Sequence, residues 1–342
     1  MRTARHRSRV MPALLLLSAV ALSGCSASSG DSSAPGTVTV LGFPNQVQDL
    51  LLTVGQDEGF FDKAGITVDT ADYPTSLEPG QAVKATKSDV LQMTAGSLMS
   101  SWQNGGDMRF FCGLQPSIPN KIMAVPSSGL PSMEKGASWE EVLQSLAGKK
   151  IGFPQPEGTG WWKVFVAAMG EAGVAEKDVV TINVGTNTSS IQQLLESGQI
   201  DAAVVSSTGT QVLEESGKAK TLMPFQEGPP VYTELFGAGY AAPIAELEKR
   251  PEDFKAFCDA ITEALDFARD PANVPAAAAK LSEMQGIPPA AADAVLAEVY
   301  PMFNVELPAD RVQRTIDYYA KNGVIEPSPV PTVADLVVDV NK

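Results

Sequence analysis

Two adjacent indoles, Trp161 and Trp162, follow the turn Glu157-Gly158-Thr159-Gly160, and this is where the sequence best combines ligand-recognition chemistries. The turn leads into a helix, whose first backbone N–H groups lack intrahelical partners and can hold an anionic or carbonyl oxygen without a cationic side chain. Thr159 and Gly160 sit at that start; Thr159 serves equally well as a simple helix cap. Adjacent helical residues point about 100° apart. One indole can therefore pack inward while the other reaches a cleft, and we assign the cleft to Trp161, with both indoles in the core as the alternative. Three further segments offer polar or flexible groups at strand ends: Phe43-Pro44-Asn45-Gln46, Thr94-Ala95-Gly96-Ser97 and Ser206-Ser207-Thr208-Gly209. From these we select Phe43 as an opposing ring, Asn45, Gln46, Gly96, Ser97, Ser207 and Thr208. Tyr240 is added as a hydroxyl from the return strand, although an ordinary strand tyrosine explains it as well.

What is missing narrows the chemistry. The single histidine is His6, in a segment that reads as a leader, so no imidazole remains for nucleophilic catalysis or for a zinc or iron site. No cofactor or metal is expected. Arginines avoid the selected loops, which leaves Lys163 and helix-start amides as anion donors in place of a bidentate guanidinium clamp. Paired carboxylates such as Asp49 and Glu157 keep a cleft enzyme open as an alternative.

Cys25 closes the run Leu22-Ser23-Gly24-Cys25, behind an apolar stretch from Met11 to Leu22 and the cations Arg2, Arg5, Arg7 and Arg9. That stretch is too short for a permanent span, and the pattern reads as an export signal over residues 1–24 with lipid attachment at Cys25. Residues 25–36, rich in Ser, Ala and Gly, read as a flexible tether. An ordinary cleaved signal with a chance cysteine is the alternative. Cys112 and Cys258 lack CxxC spacing; two buried thiols are favoured over a long-range disulfide. Subtracting the leader's four arginines from the 25 basic residues leaves 21 against 40 acidic ones, a balance of −19. Nucleic acid is thus not an expected partner.

Strands and helices alternate along the chain, which implies mostly parallel sheets. Strands are expected at 37–43, 66–73, 90–93, 108–114 and 121–125, and then, after the Ser/Gly/Pro-rich stretch 126–138, at 149–153, 179–184 and 201–205. Residues 94–97 and 206–209 are expected as loops. From Pro251 onward the chain is helical, with Phe254, Phe257, Ile261 and Leu265 spaced as one buried stripe. About 300 residues exceed a usual single core, so we expect an α/β fold of two lobes with a ligand cleft between them. Lobe I comprises 37–125 and 226–342, and lobe II 126–225.

Three segments carry a family resemblance: Gly59-Phe60-Phe61-Asp62-Lys63-Ala64-Gly65-Ile66-Thr67-Val68; Leu146-Ala147-Gly148-Lys149-Lys150-Ile151-Gly152-Phe153 with its Gly-rich turn; and Ile191 through Gly198-Gln199-Ile200-Asp201-Ala202. In this order they resemble the substrate-binding proteins of ABC importers serving alkanesulfonates, taurine, nitrate and thiamine pyrimidines. The resemblance implies a two-lobed periplasmic-binding-protein-like fold and a small-molecule ligand, a heteroaromatic such as a pyrimidine or a sulfonate. It also implies a membrane permease with its ATPase as partner, and a monomer held at the membrane only by its lipid. A lipoprotein that senses the same ligand for another partner is the remaining alternative.

Overall fold

The computed structural model describes residues 36–42, 47–72, 79–115 and 119–340. Cys25 and its leader, residues 25–35 of the tether, and Phe43, Asn45 and Gln46 lie outside these residues.

The first half runs β1 (Thr37–Gly42), α1 (Leu50–Asp57), α2 (Phe60–Lys63), β2 (Thr67–Asp72), α3 (Pro79–Thr86), β3 (Val90–Thr94), α4 (Ala95–Gln103) and β4 (Met108–Gln115). The second runs β5 (Asn120–Ala124), α5 (Trp139–Ser145), β6 (Lys150–Phe153), α6 (Gly160–Glu171), β7 (Val180–Asn183), α7 (Thr188–Glu196), β8 (Ala202–Ser206), α8 (Ser207–Glu215) and β9 (Lys220–Pro224). The chain then returns through α9 (Pro230–Thr233) and β10 (Ala238–Pro243) to the helices α10 (Ile244–Lys249), α11 (Pro251–Arg269), α12 (Val274–Gln285), α13 (Pro289–Val299) and α14 (Ala309–Lys321).

Two five-stranded sheets result, ordered β2-β1-β3-β10-β4 and β7-β6-β8-β5-β9. The orders are equivalent: three parallel strands, then an antiparallel strand next to a point where the chain crosses between the sheets, then an edge strand. β1 pairs in parallel with β2, Thr37 opposite Thr67, and β6 with β7, Lys150 opposite Val180. β10 runs antiparallel to β3 and β4, and β5 antiparallel to β8 and β9. The strand expected in lobe I at 121–125 is thus a member of the second sheet, because its backbone groups are matched by β8 on one side and β9 on the other. The chain changes sheet between Gln115 and Asn120, and again between Pro224 and Ala238. β9 was not legible as a strand.

The α11 stripe of Phe254, Phe257, Ile261 and Leu265 is buried against the first sheet. Cys258 on α11 is disulfide-bonded to Cys112 on β4, with Cα atoms 5.7 Å apart, where free thiols were the expectation. Arg250, 9% exposed, donates to Asp89 Oδ1 at 2.5 Å and to the Thr37 carbonyl at 2.8 Å, which fixes the start of α11 to β1 and β3. The end of the chain also returns to this sheet, where Phe110 exchanges backbone bonds with Leu336 and Val338. A second apolar cluster continues across the seam between the sheets, from Leu91 and Met93 through Phe236 and Tyr319 to Phe153 and Phe165.

Candidate functional site

β3 and β6 each deliver a helix whose first turn faces the other lobe. Thr94 caps α4, accepting from the Ser97 amide at 3.2 Å and donating to the Ser97 hydroxyl at 2.9 Å. Thr159 caps α6, accepting from the Trp162 amide at 3.3 Å and donating to the Pro156 carbonyl at 2.9 Å. The segment expected as a loop at 94–97 is therefore a cap and a first helical turn, since Thr94 stabilises the helix one residue after the strand ends. These caps satisfy Ser97 and Trp162, and Ala95 donates to the Gly237 carbonyl. The amides of Gly96, Gly160 and Trp161 have no protein partner among the described residues.

The two helix starts meet. A Cβ at Gly160 would lie 3.7 Å from the carbonyl carbon of Gly96, and one at Gly96 would lie 3.5 Å from the Tyr319 ring. Around this contact lies a cavity of about 30 Å³ bordered by Thr94, Gly96, Gly160 and Trp161, with Tyr232, Phe236 and Tyr319 among its ring walls. That volume holds about two water molecules.

The indoles diverge as their spacing on a helix requires. Trp161 borders the cavity, its ring 5.0 Å from that of Phe153, and its Nε1 is buried without a hydrogen-bond partner. Trp162 turns toward β7, where its Nε1 donates to Thr181 Oγ1 at 2.9 Å and that hydroxyl donates to Glu157 Oε1 at 3.0 Å. Glu157 thus positions Trp162. Asp49 accepts from Gln92 Nε2 at 2.9 Å within the first lobe, so each of these two carboxylates is engaged on its own sheet.

Other selected residues have different positions. Tyr240 is fully buried behind the first sheet, edge-on to Phe257 with centroids 5.1 Å apart; it is a core tyrosine and does not border the cavity. Ser97 closes the α4 cap. The stretch expected as a loop at 206–209 starts α8, where Ser207 is buried and its carbonyl accepts from Thr210. Thr208 donates to Gln285 Oε1 at 2.5 Å. It belongs to a second seam, in which Gln211 donates to Glu298 at 2.8 Å and Lys121 lies 2.9 Å from Glu298 and 3.4 Å from Glu214. There α8 and β5 face α12 and α13.

The sequence reading missed Tyr232, Phe236 and Tyr319. Phe236 reads only as the start of the return strand and Tyr319 as half of a Tyr-Tyr pair in the helical tail, and nothing in local spacing brings 232, 236 and 319 beside 161. Behind this wall, Glu171 at the end of α6 has its carboxyl raised above its usual range by burial, with Tyr318 and the Val231 amide acting in the opposite direction. Burial also raises the Tyr232 phenol. Among the described residues no group of His, Cys, Asp and Glu is arranged for a metal, and no helix is long and apolar enough to cross a membrane.

A family model described as NMT1/THI5 like matches residues 47–274. No curated relative matches the sequence. Among solved structures, the alkanesulfonate-binding protein SsuA from Xanthomonas axonopodis pv. citri, bound to MOPS, aligns with a TM-score of 0.70 at 16% identity, over 90% of this chain and 99% of that one. The periplasmic aliphatic sulphonate binding protein SsuA from Escherichia coli gives 0.71 at 14% identity, over 90% and 93%. The periplasmic nitrate-binding protein NrtA from Synechocystis PCC 6803 gives 0.64 at 14% identity, over 86% and 84%. The α/β fold with two lobes expected from the sequence is the fold these proteins share.

Proposed function

Since the chain belongs to the NMT1/THI5-like family, we propose that it captures a small organic solute outside the cytoplasm and delivers it to the permease of an ABC-type importer. The observation that carries this reading is the convergence of two helix starts from opposite lobes, Gly96 and Gly160-Trp161, on one ring-walled cavity. Lobe closure over a solute converts occupancy into a shape that a membrane partner can read. Two of the similar structures are named for sulfonate binding and one for nitrate binding, which supports an oxyanion or polar head group on the helix-start amides.

The ligand we favour is a heteroaromatic, pyrimidine-like compound or a sulfonate carrying an apolar or aromatic body. Trp161, Tyr232, Phe236 and Tyr319 supply ring faces, while among the described residues no arginine or lysine borders the cavity. In this assignment Gly96, Gly160 and Trp161 contact the solute, Thr159 positions the first turn of α6 through the cap, and Phe43, Asn45 and Gln46 are kept as further solute contacts. Lipid on Cys25 tethers the protein at the extracytoplasmic face, and binding occurs without turnover.

A thermal-shift screen of the purified chain against pyrimidines, alkyl and aryl sulfonates and nitrate tests this reading. A ligand at a hundred times its dissociation constant stabilises by about 2.7 kcal/mol. The expected result is a saturable shift with a member of one of these classes, the compound being recovered unchanged. A compound recovered chemically altered in proportion to protein contradicts a pure binding role, and no shift across all classes contradicts the ligand assignment.

A further inference from the structure

Beside the second crossing between the sheets, a separate open cavity of about 460 Å³ is bordered by two guanidinium groups, Arg269 at the end of α11 and Arg311 at the start of α14. That volume lies in the range of small-molecule sites. Both arginines are held in place by backbone carbonyls. Arg269 donates to Tyr300 at 3.1 Å and also to Phe303, and Arg311 donates to Thr233 at 2.8 Å and Leu235 at 3.1 Å. In a chain of net charge −15, arginines normally find carboxylates, as Arg250 and Arg314 do. Among the described residues neither Arg269 nor Arg311 has a carboxylate at salt-bridge distance.

The same cavity contains a second anomaly. Gln226 borders it, and among the described residues both polar atoms of its side chain are buried without a hydrogen-bond partner. A buried amide with both ends unmatched costs free energy that a ligand offering donors and acceptors would recover. Thr233 and Asn304 add a hydroxyl and another amide to the border. The charged groups near Arg311 are Asp310, Glu234 and Arg314. Its proton affinity is lowered first by burial and then by Arg314, and Asp310 and Glu234 offset this only partly. Its positive charge is thus incompletely compensated.

We propose that this cavity is a second binding site, distinct from the seam between the helix starts, for a small oxyanion: a phosphate, sulfate or carboxylate group. Arg269 and Arg311 supply the charge, with their fork geometry already fixed by the carbonyl bonds. Gln226, whose unmatched amide is closed off behind the cavity border, supplies a donor and an acceptor once its side chain turns toward the anion, which favours an anion carrying a hydroxyl or second polar group. The inference is independent of the solute assignment, because no residue of the helix-start contact borders this cavity.

The test is calorimetric titration of the purified chain with inorganic phosphate, sulfate and succinate at low ionic strength. The expected result is saturable uptake of at least one of them at one equivalent, weakened tenfold or more in Arg311→Gln and in the Arg269→Gln/Arg311→Gln double variant, and unchanged in Trp161→Ala. Should the double variant fail to fold, Gln226→Leu decides, since it leaves every carbonyl bond intact; weakened uptake is expected. No saturable uptake of the three anions, uptake unaffected by Gln226→Leu, or uptake lost in Trp161→Ala overturns the proposal.

Discussion

Two helices of the second lobe, α6 and α8, follow parallel strands and begin with small polar residues, yet their first turns have different fates. At α6, Thr159 is confined to the cap and the amides of Gly160 and Trp161 remain unmatched beside apolar rings. At α8, the Thr208 hydroxyl is bonded to Gln285, and the neighbouring Gln211 and Lys121 are matched by Glu298. One seam keeps hydrogen-bonding capacity in reserve beside a wall of rings. The other uses its capacity to hold the lobes together. Equivalent topology therefore produces a ring-walled seam, which we propose as the solute site, and a hydrogen-bonded seam, and the partner element decides which: rings from α9 and α14 in one case, amide and carboxylate side chains from α12 and α13 in the other.

Substitutions on either side break that contrast to different degrees. The largest expected effect is on solute affinity: Trp161→Ala removes a ring wall and weakens binding about tenfold to a hundredfold, whereas Thr208→Val changes it by less than about threefold. Titration of both variants with the best solute from the screen checks this. Glu298→Ala leaves Gln211 unmatched and Lys121 with only its longer contact to Glu214, costing about 1–3 kcal/mol of closure free energy. The expected readout is a larger radius of gyration in solution scattering without solute. Thr159→Ala loses a cap worth about 1 kcal/mol, lowering the thermal midpoint with a smaller loss of affinity than Trp161→Ala.

The smallest effect is pH dependence at Glu171. Its carboxyl is raised in the fold above the usual 4.5 by burial, so the folded state retains the proton more strongly than the unfolded one. Its stabilising contribution is fully present below that usual value and is lost as pH rises through the raised one. Glu171→Gln should flatten this part of the dependence of the thermal midpoint on pH, and an unaltered profile in that variant removes Glu171 as its source.

Local pattern went far toward the fold. The β-branched alternation of Thr37–Val40 and the α11 stripe of Phe254, Phe257, Ile261 and Leu265 each express one element and one buried face, and both occur as read. What local pattern does not encode is which sheet a strand joins. Residues 120–124 are fully buried and read as any interior strand, and only their pairing with β8 and β9 places them in the second sheet. The site divides similarly. Gly160 and Trp161 border the cavity, and what singles them out in the sequence is the coincidence of a Gly-rich turn, a cap and an aromatic pair within six residues. Tyr232, Phe236 and Tyr319 reach the cavity through long-range packing. Tyr240 was misplaced because alternation along a strand assigns two faces without saying which faces solvent, and here its face is covered by α11.

The two indole N–H groups provide the most direct test of the recognition seam, because one is unpartnered at the cavity and the other is bonded to Thr181. We would record the ¹⁵N–¹H indole resonances of the purified chain during titration with the solute identified by the thermal-shift screen, assigning them with Trp161→Phe and Trp162→Phe. The Trp161 resonance is expected to move and saturate with the solute while that of Trp162 stays in place. Saturable binding that leaves the Trp161 resonance unmoved would contradict the assignment of the helix-start seam as the solute site.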